Sequence, residues 1–579
     1  MTRIAPTPYD VVPYPGGAFR QSHPDRLATI ATLYGLEPAR PERCRLLELG
    51  CGHGGNIIPM AYTLRESEFL GIDLAATAVE KGRETIRALG LTNVELRTAD
   101  VTEVSGLGTF DFVVAHGVYS WVPAAVRERI LTLSREVLAP NGVAYVSYNA
   151  YPGNHSLNAV RQMMLFHVRG IDDPVRKVEQ ARNLIRLLSE AARPHPVLQA
   201  ILKETFDHHE KVRDALVFHD DLADVNEPFL FMDFVGQAAD ARLQFLAEAD
   251  YTDMKLWNPD TPAGRLLEAL GKEDHLLQQQ YLDFIVFRKF RQTLLCRDDA
   301  HPDREARPER LRGLRAGSAH RPENADPDIA SDAPVQFPGP DDVKMSTSHP
   351  LTKAAFLVLA NAWPEWLPWE ELLSRARERL RRAGGREPAP GDEERLLGFL
   401  LRTYAARVSE LHSTPPAFRH VPSERPRASA YARLEIADGR AVTNLKHQSI
   451  VLEDDLVREL LRILDGSRDR AAITASMEDF IRRSERPDAP GLLAALPDRI
   501  DENLRRVAGL ALLEACAPPL LQQIRRVGEL LRKRLSLLEA LLHDEARHLA
   551  LLQPEEQDLG QFFASALSML DKKIAAFSA

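Results

Sequence analysis

Hydrophobic positions between residues 43 and 150 fall into short apolar runs separated by amphipathic stretches. Cys44–Leu49, Glu68–Asp73, Val94–Ala99, Phe110–Ala115 and Gly142–Tyr148 read as buried strands, the first ending at glycines and the second closed by an acid. Helical periodicity fills the intervals at Ala76–Leu89 and Ala125–Leu138. Alternation of this kind predicts an α/β fold, a Rossmann-like doubly wound sheet. From 158 to 297 the pattern lengthens into amphipathic helices such as Val175–Leu188 and Ala238–Glu248, ending in YLDFIVFRKFRQTLLCR, so a helical domain is expected.

Beyond it, 298–342 is rich in Pro, Asp and Arg and reads as a linker or a loosely ordered stretch. Two small units follow. The first, 343–420, is expected to be winged-helix-like, with a strand at Val343–Ser346 and an apolar helix from Phe356. The second, 421–516, is expected to be α+β, with strands at Tyr431–Ile436 and Ser449–Leu452 and a helix over Asp454–Leu464. A leucine stripe over 517–579 predicts a helical extension serving as core or as a homodimer surface. The first unit then spans 1–157.

Composition narrows the function classes. The 579 residues are 44% hydrophobic and 27% charged, which excludes wholesale disorder. A net charge of −10 argues against a nucleic-acid grip over a broad face. No run approaches the roughly 20 apolar residues that span a bilayer, and no secretory signal opens the chain. Four scattered cysteines suit a reducing cytoplasm. Cys44 and Cys51 flank a strand and are not expected to bridge.

The chemistry concentrates in Leu46-Leu-Glu-Leu-Gly-Cys-Gly-His-Gly-Gly-Asn56, a strand entering a glycine turn. Gly50, Gly52 and Gly55 satisfy the G-x-G-x-x-G dinucleotide pattern, while Glu48, Gly50, Gly52 and Gly54 satisfy the acid-x-G-x-G-x-G pattern of S-adenosylmethionine-dependent methyltransferases. Glu48 favours the second. A carboxylate repels a pyrophosphate, whereas S-adenosylmethionine offers an ammonium and a sulfonium. Asp73 ends the second strand where it can accept from both ribose hydroxyls. Asp100 ends the third, where methyltransferases of the class this pattern resembles place an acid that accepts from the adenine amino group. The expected cofactor set is Glu48, Gly50, Cys51, Gly52, Gly54, Asn56, Asp73, Leu74, Asp100, Val101 and His116. Aromatic and polar residues at strand ends, Tyr119, Trp121, Tyr148 and Tyr151 with His116 and Asn149, are the candidates for the acceptor side; His116, Tyr119, Trp121, Asn149 and Tyr151 form the catalytic set. Asp207-His-His-Glu210 with His219-Asp-Asp221 clusters metal-type ligands in no zinc spacing, so no metal is expected. Arg288-Lys-Phe-Arg291 reads as a solvated helix face with Phe287 and Phe290 inward.

Several segments together carry a resemblance: Tyr9–Pro15 with HPDRL, LELGCGHGGN, FDFVVAHGVYSWVP, GVAYVSYNAYPG, LVFHDDLADVNEPFLFMDF and YLDFIVFRKFRQTLLC. The chain resembles the bacterial methyltransferases that carry a methyltransferase regulatory domain, among them the rickettsial outer-membrane-protein lysine methyltransferases. The resemblance is dense to about residue 300, thinner to 452 and absent beyond 517. It implies a regulatory role for 158–297 and transfer to lysine side chains of a protein substrate. Small-molecule N- or O-methylation and cofactor sensing without turnover stand as the alternatives. His53, where an acid is common, and Asn154, where a Trp is expected, depart from the family pattern.

Overall fold

The computed structural model describes residues 7–190, 195–255, 258, 260–324, 327–339 and 344–515. The expected leucine-striped helix, 517–579, lies outside them.

Five parallel strands form the first part of the central sheet: β1 (Arg45–Leu49), β2 (Glu68–Asp73), β3 (Val94–Thr98), β4 (Phe110–Ala115) and β5 (Leu138–Asn149). Helices cover both faces, which is why β1 reads as a continuous apolar run. Leu46 enters the core on one face, and Leu47 and Leu49 enter the core on the other. The helix Ala76–Leu89 follows β2, and Ala124–Val137 precedes β5.

Two further strands come from the region expected to be wholly helical. The helix Phe231–Asp240 stops early, Arg242 takes a left-handed φ of 61°, and β6 (Leu243–Glu248) begins. The helix His275–Val286 stops at Phe287, φ 52°, before β7 (Phe290–Arg297). Both pair antiparallel, β7 with β5 and β6 with β7, giving the order 3-2-1-4-5-7-6. Short apolar runs fit helix or strand by periodicity alone, and here the sheet edge decides. The sheet is Rossmann-like, and residues 243–297 complete it.

This register reverses the expected helix face at 288–291. Phe287 is 50% exposed, while Arg291 is 1% exposed. Arg291 donates to Glu248 Oε1 at 2.5 Å and to Asp283 at 2.8 Å, and Arg288 reaches Asp283 at 2.9 Å. A guanidinium inside a core needs such carboxylates.

The stretch 298–342, expected to be loose, contributes ordered structure. Arg315–Gly317 is the central strand of a three-stranded sheet with Leu367–Pro368 and Glu410–His412, and Val335–Pro338 pairs with Lys344–Thr347. Leu311, Ile329 and Phe337 are buried. In the last described unit Tyr431–Ile436 is helical, inside Ala430–Asp438, because Ser429 caps the Ala432 amide. Ala441–Thr443 and Ser449–Val451 form a hairpin, followed by the helix Asp455–Ile463.

Candidate active site

At the carboxyl end of β1 the chain makes the glycine turn. Gly50 has φ 74°, and a Cβ there would sit 2.3 Å from Val118 Cγ2, so only glycine fits. Gly52, φ 54°, faces open space, and its amide donates to Asp73 Oδ2 at 2.7 Å. Asp73 Oδ1 accepts from the Ala75 amide at 2.8 Å. Burial raises the Asp73 carboxyl above its usual range against these bonds. Cys51 is buried, and its Sγ fills the space beside Gly71. Leu74 is exposed, at the start of the same edge. Asp100 and Val101 follow β3, Asp100 Oδ1 accepting from the Thr102 amide at 2.8 Å.

Glu48 is buried at 3% exposure. Its Oε1 accepts from Asn56 Nδ2 at 2.6 Å, and its Oε2 has no partner. Burial without a cation pushes the carboxyl up to about 8. A ligand that brings an ammonium group supplies the missing partner, so the residues present fit an amino-acid-bearing cofactor. Asn56 has protein partners on both sides of its amide. Its Oδ1 accepts from Phe19 N at 2.9 Å and His447 Nε2 at 2.8 Å, and its Nδ2 also donates to Ser22 Oγ at 3.0 Å. It fixes Glu48 from behind.

At the end of β4, the His116 ring stacks on Phe19 at 3.6 Å and bonds Tyr145 OH through Nδ1 at 2.8 Å. Burial drives its pKa down to about 3, so the ring stays neutral near pH 7 and is not a proton reservoir. Gly117 beside it, φ 67°, meets open space.

The acceptor candidates divide. Tyr119 and Tyr148 are fully buried, Tyr119 OH donating to Gln237 Oε1 at 2.6 Å and Tyr148 stacking on Phe234 at 4.0 Å. They pack the core. Trp121 is half-buried, with an Nε1 that is buried and unpartnered. Tyr151 is half-buried and stacks on His155 at 4.1 Å. Asn149, at the end of β5, donates from Nδ2 to Asn226 Oδ1 at 2.9 Å. Asn154, in the departing position, is buried and donates to the carbonyls of Ala150 and Lys289, joining the turn after β5 to the approach of β7.

The N-terminal segment closes the edge, which motif reading missed. A Cβ on Gly16 would strike the His53 ring at 2.3 Å, and one on Gly55 would lie 3.0 Å from Gly17 N. Asp10 Oδ1 accepts from the Thr77 amide at 3.0 Å. No spacing pattern joins residues 9–23 or His447 to the glycine turn; only tertiary contact does. Among the described residues no group of three or more His, Cys, Asp or Glu is placed to hold a metal ion. His209 of the suspected cluster instead pairs with Asp221 at 3.0 Å.

Comparison with known proteins finds relatives along most of the chain. The sequence models of a methyltransferase domain, a predicted methyltransferase regulatory domain and a PKMT C-terminal winged helix domain match residues 46–142, 213–297 and 424–486. The winged-helix match thus falls after the unit, 343–420, where such a fold is expected from sequence. The uncharacterized protein RP028 of Rickettsia prowazekii is 35% identical over 40% of this chain and 93% of its own length. The uncharacterized protein RP789 of the same organism is 29% identical over 83% of this chain and 87% of its own. PKMT2 from Rickettsia typhi, whose structure is also known in complex with AdoHcy, superposes with a TM-score of 0.76 at 28% identity, over 86% of this chain and all of that one. With the glycine turn, the unpartnered Glu48 and the 3-2-1-4-5-7-6 sheet, these likenesses place the chain among the class I S-adenosylmethionine-dependent methyltransferases that carry a methyltransferase regulatory domain.

Proposed function

We propose that the enzyme transfers methyl groups to lysine side chains of a protein substrate. The observation that carries this reading is the likeness to PKMT2, which runs through the sheet and on into the winged-helix segment, over 86% of the chain. A small acceptor would need little of the chain beyond the sheet.

The cofactor's sulfonium supplies an electrophilic methyl group. Glu48 would hold the ammonium end, Asp73 the ribose hydroxyls and Asp100 the adenine amino group, with the Gly52 amide and His116 beside them. Lysine, with a reference pKa near 10.4, is neutral in only about one molecule in a few thousand at pH 7, a cost of roughly 4–5 kcal/mol. We assign Trp121, on the turn after β4, and Asn149 and Tyr151, at the end of β5, to the acceptor amine, and exclusion of water there would lower that cost. Positioning then provides most of the acceleration.

Among the described residues no helix is long and apolar enough to cross a membrane, and Cys44, Cys51 and Cys296 are free thiols. The free thiols suit a reducing, cytoplasmic setting. Incubation with labelled S-adenosylmethionine and lysate of the host tests the reading. Methyllysine in hydrolysed labelled protein is expected; label confined to small molecules sinks the proposal in favour of a small-molecule methyltransferase.

A further inference from the structure

The turn that opens the regulatory match meets the N-terminal segment above the carboxyl edge of the sheet, and one carboxylate there lacks a cation. Asp220 lies on a single π-helical turn, Val217–Asp221. Tyr14 OH donates to it over long contacts, 3.4 Å to Oδ1 and 3.5 Å to Oδ2. Among the described residues no Lys or Arg pairs with it, and its neighbour Asp221 is engaged by His209. Aromatic rings gather round this turn. Tyr9 stacks on His219 at 4.3 Å, Tyr14 meets the same ring edge-on at 5.7 Å, and His219 Nε2 donates to Val12 O at 2.6 Å, fastening the segment in place.

The contacts on either side place Asp220 on the rim of the site. Two residues after Tyr14, Gly16 lies against His53 of the glycine turn. On the other side Asn226 Nδ2 donates to the Asp220 carbonyl at 3.1 Å while its Oδ1 accepts from Asn149 at the end of β5. Tyr9 lies within the field of both Asp73 and Asp220; burial and these two charges push its phenol up to about 12. Burial and the Asp221 charge push Asp220 itself up to about 7, as befits a carboxyl with no cation of its own.

We infer that Asp220, walled by Tyr9 and Tyr14, receives the ammonium head of the acceptor lysine and takes its proton. The inference rests on the lysine reading above. A carboxylate among phenol rings suits an ammonium through charge and ring face together. The proton moves from the lysine nitrogen to a carboxylate oxygen of Asp220, leaving a neutral amine and a neutral carboxyl group. The amine lone pair then forms the C–N bond as the methyl–sulfur bond breaks with its electrons to sulfur, and Asp220 returns its proton to water.

The test uses the full chain saturated with S-adenosylhomocysteine and titrated with Nα-acetyl-lysine N-methylamide or its norleucine counterpart, followed by ligand-observed NMR. The native protein is expected to prefer the lysine probe by about tenfold. Asp220→Asn is expected to erase that preference with S-adenosylhomocysteine affinity unchanged, which also shows that the variant is folded. A native protein without preference, or an Asp220→Asn protein that keeps it, overturns the inference. The lysine reading is decided separately by methyllysine in host protein, so the two failures are distinguishable.

Discussion

His447 Nε2 lies 2.8 Å from Asn56 Oδ1, a bond between residues 391 apart that ties the hairpin turn of the winged-helix segment to the glycine turn. Burial keeps His447 neutral, so its Nε2–H donates, and with Phe19 N it fixes the carbonyl side of Asn56. The amide nitrogen must then face Glu48. His447→Ala removes one of the bonds that set this orientation, worth about 1 kcal/mol, so cofactor affinity should fall about fivefold. Calorimetry with S-adenosylhomocysteine reads it; unchanged affinity means that Asn56 orients Glu48 without help from the C-terminal segment.

Glu48 gives the cofactor-free protein a pH dependence of known sign. Its folded carboxyl keeps a proton up to about 8, against 4.5 for the ordinary group. Between those values the folded state binds the extra proton, so stability falls as pH rises. Asp220 and Glu435, each raised to about 7, act in the same direction. S-adenosylhomocysteine brings an ammonium to Glu48 and reverses its share. Scanning calorimetry should therefore show a larger cofactor-induced rise in Tm at pH 7.5 than at pH 6. Glu48→Gln should flatten that difference, and an unflattened one would refute the pairing.

Legibility in the sequence followed the range of the interaction. β1 to β5 and the glycine turn declare themselves because each strand is a local apolar run and each turn needs local glycines or acids. β6 and β7 were hidden: Leu243–Glu248 and Phe290–Arg297 are apolar runs whose strand character comes from pairing beside β5. Arg291 looked solvated because its partners Glu248 and Asp283 are distant in sequence or on another element. At the site, Glu48, Asp73 and Asp100 stand at strand ends as the pattern implies. Tyr119 and Tyr148 are packed into the hydrophobic cluster with Phe229 and Phe234, a contact that strand-end position does not reveal. The roles of His447, Phe19 and Asp220 depend on contacts that no spacing records.

Asp73 accepts from the Gly52 and Ala75 amides and so braces the turn it is proposed to serve. Asp73→Asn keeps the size of the side chain but turns one acceptor into a donor facing an amide. Cofactor affinity should fall by more than about tenfold, the loss of a charge-assisted bond at 1.4 kcal/mol per decade. Equilibrium binding of S-adenosylhomocysteine checks it, with an unchanged constant counting against the ribose assignment.

The sheet itself makes the last prediction. A chain truncated after Asn158 contains the whole glycine turn and all the cofactor acids, yet it lacks β6 and β7. β5, whose Ala144–Asn149 pairs with β7, would become an open edge with Tyr145, Val146 and Tyr148 uncovered. Such a chain should aggregate or melt without a cooperative transition. In the full chain, Arg291→Met should cost about 3–5 kcal/mol by leaving Glu248 buried without a cation and Asp283 with Arg288 alone. Circular dichroism melts of both proteins test the point. A soluble, cooperatively folding fragment 1–158 would show that the regulatory region is an addition to the methyltransferase domain; its failure to fold, with a strongly destabilised Arg291→Met, would show that residues 243–297 are part of it.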